Sequence, residues 1–461
     1  MSLQEVGQRL EKPFTFAVVG DTHFLHSKFG RPTGDTGGSF RPLQIDQYLE
    51  SVRYVLMPMM ASLQEVSPEF LVITGDLVEG HHDVELAVDE IKEGLEFFEG
   101  YGIPLLFACG NRDRVEAFDS VVLPYLGRWL GRKPRERFFF LDVAGCRLIF
   151  LDTPAWKRKG PQREWLELAL NDREAAGVDR TFLFGHHPVW PLARAFFTNI
   201  DLHLDLPEIL QEHPVDAFFC GHTHNQNVLL HRTDGRPVLQ CMCASIGLSS
   251  EMPTPLDRVQ DLIPHPQDVL TCWPGYLENT APGWFIVHVG RTSVEASWHH
   301  LNRGVETRLV WQRPGDLSAF EKMDHPPDAR LIYDDLNHIR RATLRFCGWH
   351  ALRQDKQVFL NGVLVGSLPP ANDYAPIRMD LPAKCLEQLR MENRLEIQVP
   401  RNEACTLGNF ILEAVLPGGR FVRTRPTGEI FTWSDRWGAW NSSLLMKMKP
   451  GRPAMTLLCF Q

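Results

Sequence analysis

From Phe14 to about Trp298 the chain repeats one unit: a short apolar run, a glycine-containing polar turn, then an amphipathic stretch or a loop. The apolar runs read as buried strands at residues 14–19, 70–74, 103–109, 138–143 with 147–151, 181–184 and 215–220. Helical spacing of apolar positions recurs at 84–98 and 161–176. Alternation of strand and helix predicts a layered α/β domain, and chemistry in such folds gathers at the carboxyl ends of strands. After about Gly304 the pattern changes to alternating strands separated by turns. "VFLNGVLVGSL", residues 358–368, reads as a hairpin because Asn361-Gly362 suits a two-residue type I′ turn. "NRLEIQV", residues 393–399, alternates apolar and polar positions as a half-buried strand does. The expected organisation is an α/β domain over residues 1–305 and an all-β, jelly-roll-like sandwich over 306–461.

Composition narrows the class. Hydrophobic residues make up 44% and charged residues 23% of 461, ordinary for a soluble globular chain. A net charge of -9 offers no electrostatic case for binding a nucleic-acid backbone. The ten cysteines include no C-x-x-C pair, and Cys241 and Cys243 are the closest neighbours, which argues against a zinc finger. The opening "MSLQEVGQRLEKPF" lacks the apolar stretch of a signal peptide, and no run approaches the roughly 18 apolar residues of a membrane span. A cytoplasmic location with mostly free thiols is the expectation.

The polar turns carry the chemistry. "GDTH" at 20–23, "GDLVE" at 75–79, "GNRD" at 110–113, "GHHP" at 185–188 and "GHTH" at 221–224 each follow an apolar run. Such groups cost several kcal/mol when buried unpaired. Their recurrence at equivalent positions is explained if they converge on metal ions. Asp21 with His23, and His222 with His224, lie two apart on irregular turns, while Asp76, Asn111 and His186 add single donors. With one carboxylate shared, seven oxygen and nitrogen donors suit two ions about 3.5–4 Å apart, which can activate a water and hold a phosphoryl group for in-line attack. Donors without thiolate favour manganese, iron or zinc. The competing reading of the same residues is a set of capped strand ends and turns, where Asp, Asn and Gly are common.

The ordered set D-x-H, G-D, G-N, G-H and G-H-x-H resembles the calcineurin-like metallophosphoesterase superfamily over roughly residues 13–300. The resemblance implies a four-layer α/β/β/α sandwich. It also implies one metal held by Asp21, His23, Asp76 and His224, and another by Asp76, Asn111, His186 and His222. "GHHPVW" is similar to the segment that supplies the lone histidine ligand in purple acid phosphatases, and "LDT" and "GPQREWLELAL" are familiar from the superfamily. Glu79 stands where the purple enzymes carry an iron-binding tyrosine, so no purple centre is expected. Arg112 stands where most members carry a histidine assigned to the leaving group or to phosphate contact. A guanidinium binds phosphate oxygens bidentately but is a poor general acid. The GNRD spelling is similar to that of the lipid A pathway pyrophosphohydrolases, which favours a leaving group that is itself a phosphate. Asp113 is expected either to steady Arg112 or to be a helix N-cap or loop residue.

The implied activity is hydrolysis of a phosphoester or pyrophosphate bond by a metal-bridging hydroxide, on a phosphorylated small molecule, nucleotide or sugar-linked substrate. Alternatives are a cyclic-nucleotide or other phosphodiesterase, and a non-catalytic phosphate- or sugar-binding protein on the same fold. His26, His81 and His82 are extra acids or solvated loop residues, and His187 packs beside His186. Lys28, Arg31 and Arg41 belong to a substrate lid or a solvated loop, and residues 246–284 form a second candidate rim. Trp433, Trp437 and Trp440 read as core or interface residues, or as a sugar platform in a sandwich loosely resembling galactose-binding modules.

Overall fold

The computed structural model describes residues 10–25, 52–81, 83–173, 176–191, 198–224, 226–231, 236–243, 268–271, 283–301, 304–322, 333–349, 355–368, 375–401, 406–417, 421–424, 432–434, 439–441, 446–447 and 453–460. Two seven-stranded mixed sheets form the N-terminal part. The first is built from β1 (Phe14–Val19), β2 (Phe70–Ile73) and β3 (Leu105–Phe107). The second contains β4 (Phe139–Val143), β5 (Cys146–Phe150), β6 (Arg180–Phe184), β7 (Ala217–Cys220), β8 (Asn227–His231), β9 (Val238–Met242) and β10 (Asp268–Thr271). The first is completed by β11 (Gly283–Val289), β12 (Val294–His300), β13 (Gly304–Arg313) and β14 (Asp316–Lys322). Their orders are β14-β13-β12-β11-β1-β2-β3 and β10-β8-β9-β7-β6-β5-β4.

The two sheets meet over a phenylalanine layer. Phe16 of β1 stacks on Phe70 of β2 at 5.2 Å and meets Phe182 of β6 edge-on at 5.5 Å. Phe184 stacks on Phe150 at 5.0 Å and on Phe219 at 5.7 Å. Burying each ring contributes about 1.5–3 kcal/mol, with a further increment for the offset or edge geometry. Residues one step along the same strands point the other way. Ile149, Leu151, Leu183 and Phe218 join a separate core with the apolar faces of α4 (Pro161–Asn171) and α5 (Ile200–Glu212). On the first sheet's outer face lie α1 (Met57–Val66) and α2 (Val84–Glu99), while α3 (Leu123–Leu130) packs beside them in the same core. This is the four-layer α/β/β/α order. Helix starts follow local chemistry: Asp83 caps α2 by accepting from Leu86 N, Asn199 caps α5, and Pro161 opens α4 after Gly160.

The first sheet continues through β13 and β14 to Lys322, beyond the expected boundary between 305 and 306. We therefore propose that the domain seam falls between Lys322 and Tyr333. The C-terminal part is all antiparallel. One sheet contains β15 (Arg341–Trp349), and the facing four-stranded sheet begins with β16 (Gln357–Leu360) and β17 (Val363–Ser367). Leu344, Phe346, Val358, Leu395, Ile397 and Leu412 fill the space between them. Asn361 and Gly362 take φ of 51° and 79°, the left-handed pair that the type I′ turn requires. Trp433 and Trp440 pair in a two-stranded ladder; Trp437 lies outside the described residues, as do His26, Lys28, Arg31, Arg41, His82 and nearly all of 246–284.

Candidate metal centre

Each of the five polar turns leaves the carboxyl end of its strand or the loop that follows it. Those after β1, β2 and β3 come from the first sheet, and those after β6 and β7 from the second. The turns run against one another: His23 N donates to Asp76 O at 2.9 Å, and Gly221 N to His186 O at 2.9 Å. Five of the nine non-glycine residues with left-handed backbone among the described residues are ligand candidates. They are Asp21 (φ 49°), His23 (41°), Asp76 (50°), His222 (75°) and His224 (52°). Each such conformation costs about 1–3 kcal/mol, and clustering of that strain marks sites where side-chain placement matters. Packing is equally tight: a Cβ on Gly110 would lie 2.1 Å from Asp76 N, and one on Gly75 would lie 2.6 Å from His186 Nδ1.

The donor atoms of Asp21, His23, Asp76 and His224 converge within 4.8 Å of one another, all buried. His23 Nε2 and His224 Nε2 face each other at 3.0 Å, and His224 Nε2 is 3.4 Å from Asp21 Oδ1. Spacings near 3 Å are those of donors about 2.0–2.2 Å from one shared ion. Asp76 Oδ2 lies 3.8 Å from His23 Nε2 and 3.3 Å from His186 Nε2, so one carboxylate oxygen faces two donor groups. On the other side His186 Nε2 meets Asn111 Oδ1 at 2.7 Å, while its Nδ1 is held by Thr74 O at 3.0 Å. That backbone contact fixes the ring so that Nε2 points into the site. His222 N donates to both oxygens of Asp21, at 3.0 and 2.8 Å. The seven predicted donors are thus brought together, and they fit two ions sharing Asp76.

Electrostatics match a site built for cations. Burial opposes a charge on His186, but Asp76 and Asp21 outweigh it and raise the imidazole to about 9. Burial likewise opposes ionisation of Asp76, yet His186 and His23 hold its carboxyl well below the usual range. His23 is pushed down by burial and up, with the larger net effect, by Glu79, Asp76 and Asp21. His187 is different: burial and the neighbouring His186 push it down to about 3, so it is neutral. Its ring lies 4.2 Å from that of His222, and its donor groups with His186 and His222. It borders the second ion's place rather than merely packing behind His186.

Glu79 was noticed in the sequence only as a missing tyrosine. It is buried, and its Oε2 lies 2.7 Å from His23 Nδ1 while its Oε1 is 3.8 Å from Arg112 Nη1. One carboxylate therefore faces both a candidate ligand, His23, and the arginine on the rim. Behind it, buried Glu90 of α2 is raised well above the carboxylate range by burial and by Glu79. Asp113 is a loop residue, and its carboxylate bonds to backbone rather than to the Arg112 guanidinium. Its Oδ1 accepts from Leu77 N at 2.9 Å and Val78 N at 3.4 Å, and its Oδ2 from Gly110 N at 2.9 Å, stitching the turn after β2 to that after β3. Burial and Asp76 raise it to about 7. Arg112 itself is 48% exposed, and its backbone N donates to Asp76 Oδ1 at 2.7 Å. Thr153, in "LDT", accepts from both His186 N and His187 N. His81 Nδ1 accepts from Asp83 N at the start of α2.

Residues 14–226 match the calcineurin-like phosphoesterase family. No curated protein matches the chain. Among solved structures it is similar to a purple acid phosphatase from yellow lupin (Lupinus luteus) seeds, with 13% identity, 65% of this chain and 54% of that chain covered, and a TM-score of 0.44. The chain thus spans about half the length of that protein. It is similar also to a dimetal phosphatase from Danio rerio, with 13% identity, 62% and 96% covered, and a TM-score of 0.41. Among the described residues no helix is long and apolar enough to cross a membrane.

Proposed function

We propose that the chain is a dinuclear metal-dependent phosphohydrolase that cleaves a phosphoester or pyrophosphate bond in a phosphorylated small-molecule, nucleotide or sugar-linked substrate. The observation that carries this reading is Asp76 Oδ2 facing His23 on one side and His186 on the other. Asp21, His23 and His224 would hold one ion and Asn111, His186 and His222 the other, with Asp76 common to both. When bound, manganese, iron or zinc would supply Lewis acidity and a deprotonated water at neutral pH. The chain's own groups do the rest. Arg112, on the exposed rim, binds non-bridging phosphate oxygens and offsets charge that grows as the bond breaks. Glu79 restrains that guanidinium and orients His23. Asp113 keeps the two rim turns together and touches no reacting atom.

A guanidinium does not release a proton near neutral pH, so Arg112 cannot serve the leaving group as an imidazole would. That supports a leaving group stable as an anion, a phosphate before an alkoxide. Replacing Asp76 or His222 by Ala is expected to abolish turnover of bis(p-nitrophenyl) phosphate by the manganese-loaded protein. Activity retained in both variants would overturn the assignment. A panel of monoesters, diesters, cyclic nucleotides and nucleoside diphosphate sugars then ranks the substrate class.

A further inference from the structure

The outer edge of the second sheet forms a cleft of about 1030 Å³, lined by every residue from Phe138 to Val143. Side chains of consecutive strand residues alternate between faces, so six in a row line one cleft only if it runs along the backbone edge of β4. β4 pairs with β5 on its other side, closing through the two-residue turn Ala144-Gly145 with φ of 51° and 76°. In an antiparallel ladder closed this way Val143, Leu141 and Phe139 turn their N–H and C=O toward β5, and Phe140 and Asp142 turn theirs into the cleft. Exposed edges of this kind are templates for another strand, usually blunted by charge or proline. Here the walls are aromatic and cationic. Trp129, Leu130 and Trp165 line it, the Trp165 ring 5.0 Å from that of Phe138. Arg132, Lys133 and Arg135 line the cleft, all exposed, and none meets a carboxylate among the described residues. Of the acids there, Asp142 is tied to Arg147 at 2.7 Å. A chain of net charge -9 thus places three exposed cations against one exposed acid without an ion pair, Glu136, beside a strand edge that no other described strand pairs.

We propose that the β4 edge is a docking site for an extended acidic peptide segment of a partner protein, which adds as a strand to the sheet. Phe140 and Asp142 supply main-chain hydrogen bonds. Apolar side chains of the segment sit against Trp165 and Trp129, and its carboxylates meet Arg132, Lys133 and Arg135.

The test is fluorescence anisotropy with a labelled octapeptide, Glu-Val-Asp-Phe-Glu-Val-Asp-Ile, on the full chain. Saturable binding with Kd on the order of 10⁻⁵ M is expected for so small an interface. It should disappear when alternate peptide nitrogens are methylated, and weaken at least about tenfold in the Arg132→Glu, Arg135→Glu double variant. Should that variant fail to fold, falling affinity with added salt on the unaltered chain reads the same charge dependence. Absence of saturable binding overturns the proposal. So does binding that survives methylation, which would mean an anion site without strand addition. A concentration-dependent dimer that the peptide dissolves would mean that a second copy is the occupant, and also overturns it.

Discussion

Glu79 offers the sharpest check on the metal centre. With an ion bound, His23 would be neutral, its Nε2 turned to the donor cluster and its Nδ1 facing Glu79 Oε2, 2.7 Å away. A carboxylate behind a ligating imidazole raises its basicity and fixes its tautomer, and loss of such partners typically costs 10–100-fold in metal affinity. Glu79→Gln keeps an oxygen that can accept from Nδ1 but removes the charge, so about tenfold, or ~1.4 kcal/mol, is expected. Glu79→Ala removes the acceptor and the tether on Arg112, and should reach about 100-fold, or ~2.7 kcal/mol. Competition of a chromogenic chelator for zinc or manganese measures both without reference to turnover. The pH dependence separates electrostatics from general damage. Glu79 is one of the groups that raise the His23 imidazole, so in the metal-free site it favours the proton that metal must displace. Without that charge the proton leaves at lower pH, and the midpoint of metal loading moves to more acidic pH even as affinity on the alkaline plateau falls. Affinities within twofold of the unaltered protein for both variants, or a fall with an unmoved midpoint, would refute the reasoning.

Other outcomes are equally definite. Metal uptake near pH 7 should release protons, because His186 is raised to about 9 in the free site; calorimetry in buffers of different ionisation enthalpy detects this. Glu90→Gln should raise the melting temperature of the metal-free protein at pH 8 and leave it nearly unchanged near pH 4. Burial raises the Glu90 carboxyl, so its stability is complete below the unfolded value and is lost as pH rises through the folded one; each 1 kcal/mol relieved shifts the melting point roughly 2–4 °C. Gly110→Ala puts a Cβ 2.1 Å from Asp76 N and should cost more than about 2 kcal/mol in denaturant titration, with metal content falling in parallel. Arg112→His should improve alkyl phosphate esters relative to pyrophosphates in kcat/KM; an unchanged ratio would remove the leaving-group argument.

The strands that carry the site were legible because they are buried on both faces, and a glycine-polar turn after an uninterrupted apolar run is conspicuous. The seven donors were legible for the same reason: each is the first or third residue past its glycine. What escaped depends on which turns lie side by side. Asp113 sits next to Arg112 in the chain, yet its carboxylate reaches back to Leu77 and Val78, 36 and 35 residues earlier. Glu79 was visible as a departure from the tyrosine pattern, but its partner His23 arrives from another strand. The texture change near Gly304 does not coincide with the end of the first sheet, since β13 and β14 alternate like sandwich strands while β13 pairs with β12 and β14 with β13. Helices α1, α3 and α5 escaped because Met, Pro and aromatic residues blur their apolar spacing.

The seven donors span Asp21 to His224, and they hang from both sheets. No fragment ending before the turn after β7 holds a complete site, and β1 lacks its antiparallel neighbour until β11 has been made. On a ribosome, the turn after β7 must be made before the proposed site has all its donors, and β11 before β1 is flanked on both sides. Metal acquisition at the proposed site would therefore follow the assembly of both sheets. A nascent chain presents scattered histidines of low affinity, and only the assembled pair of sheets can compete for a scarce cation.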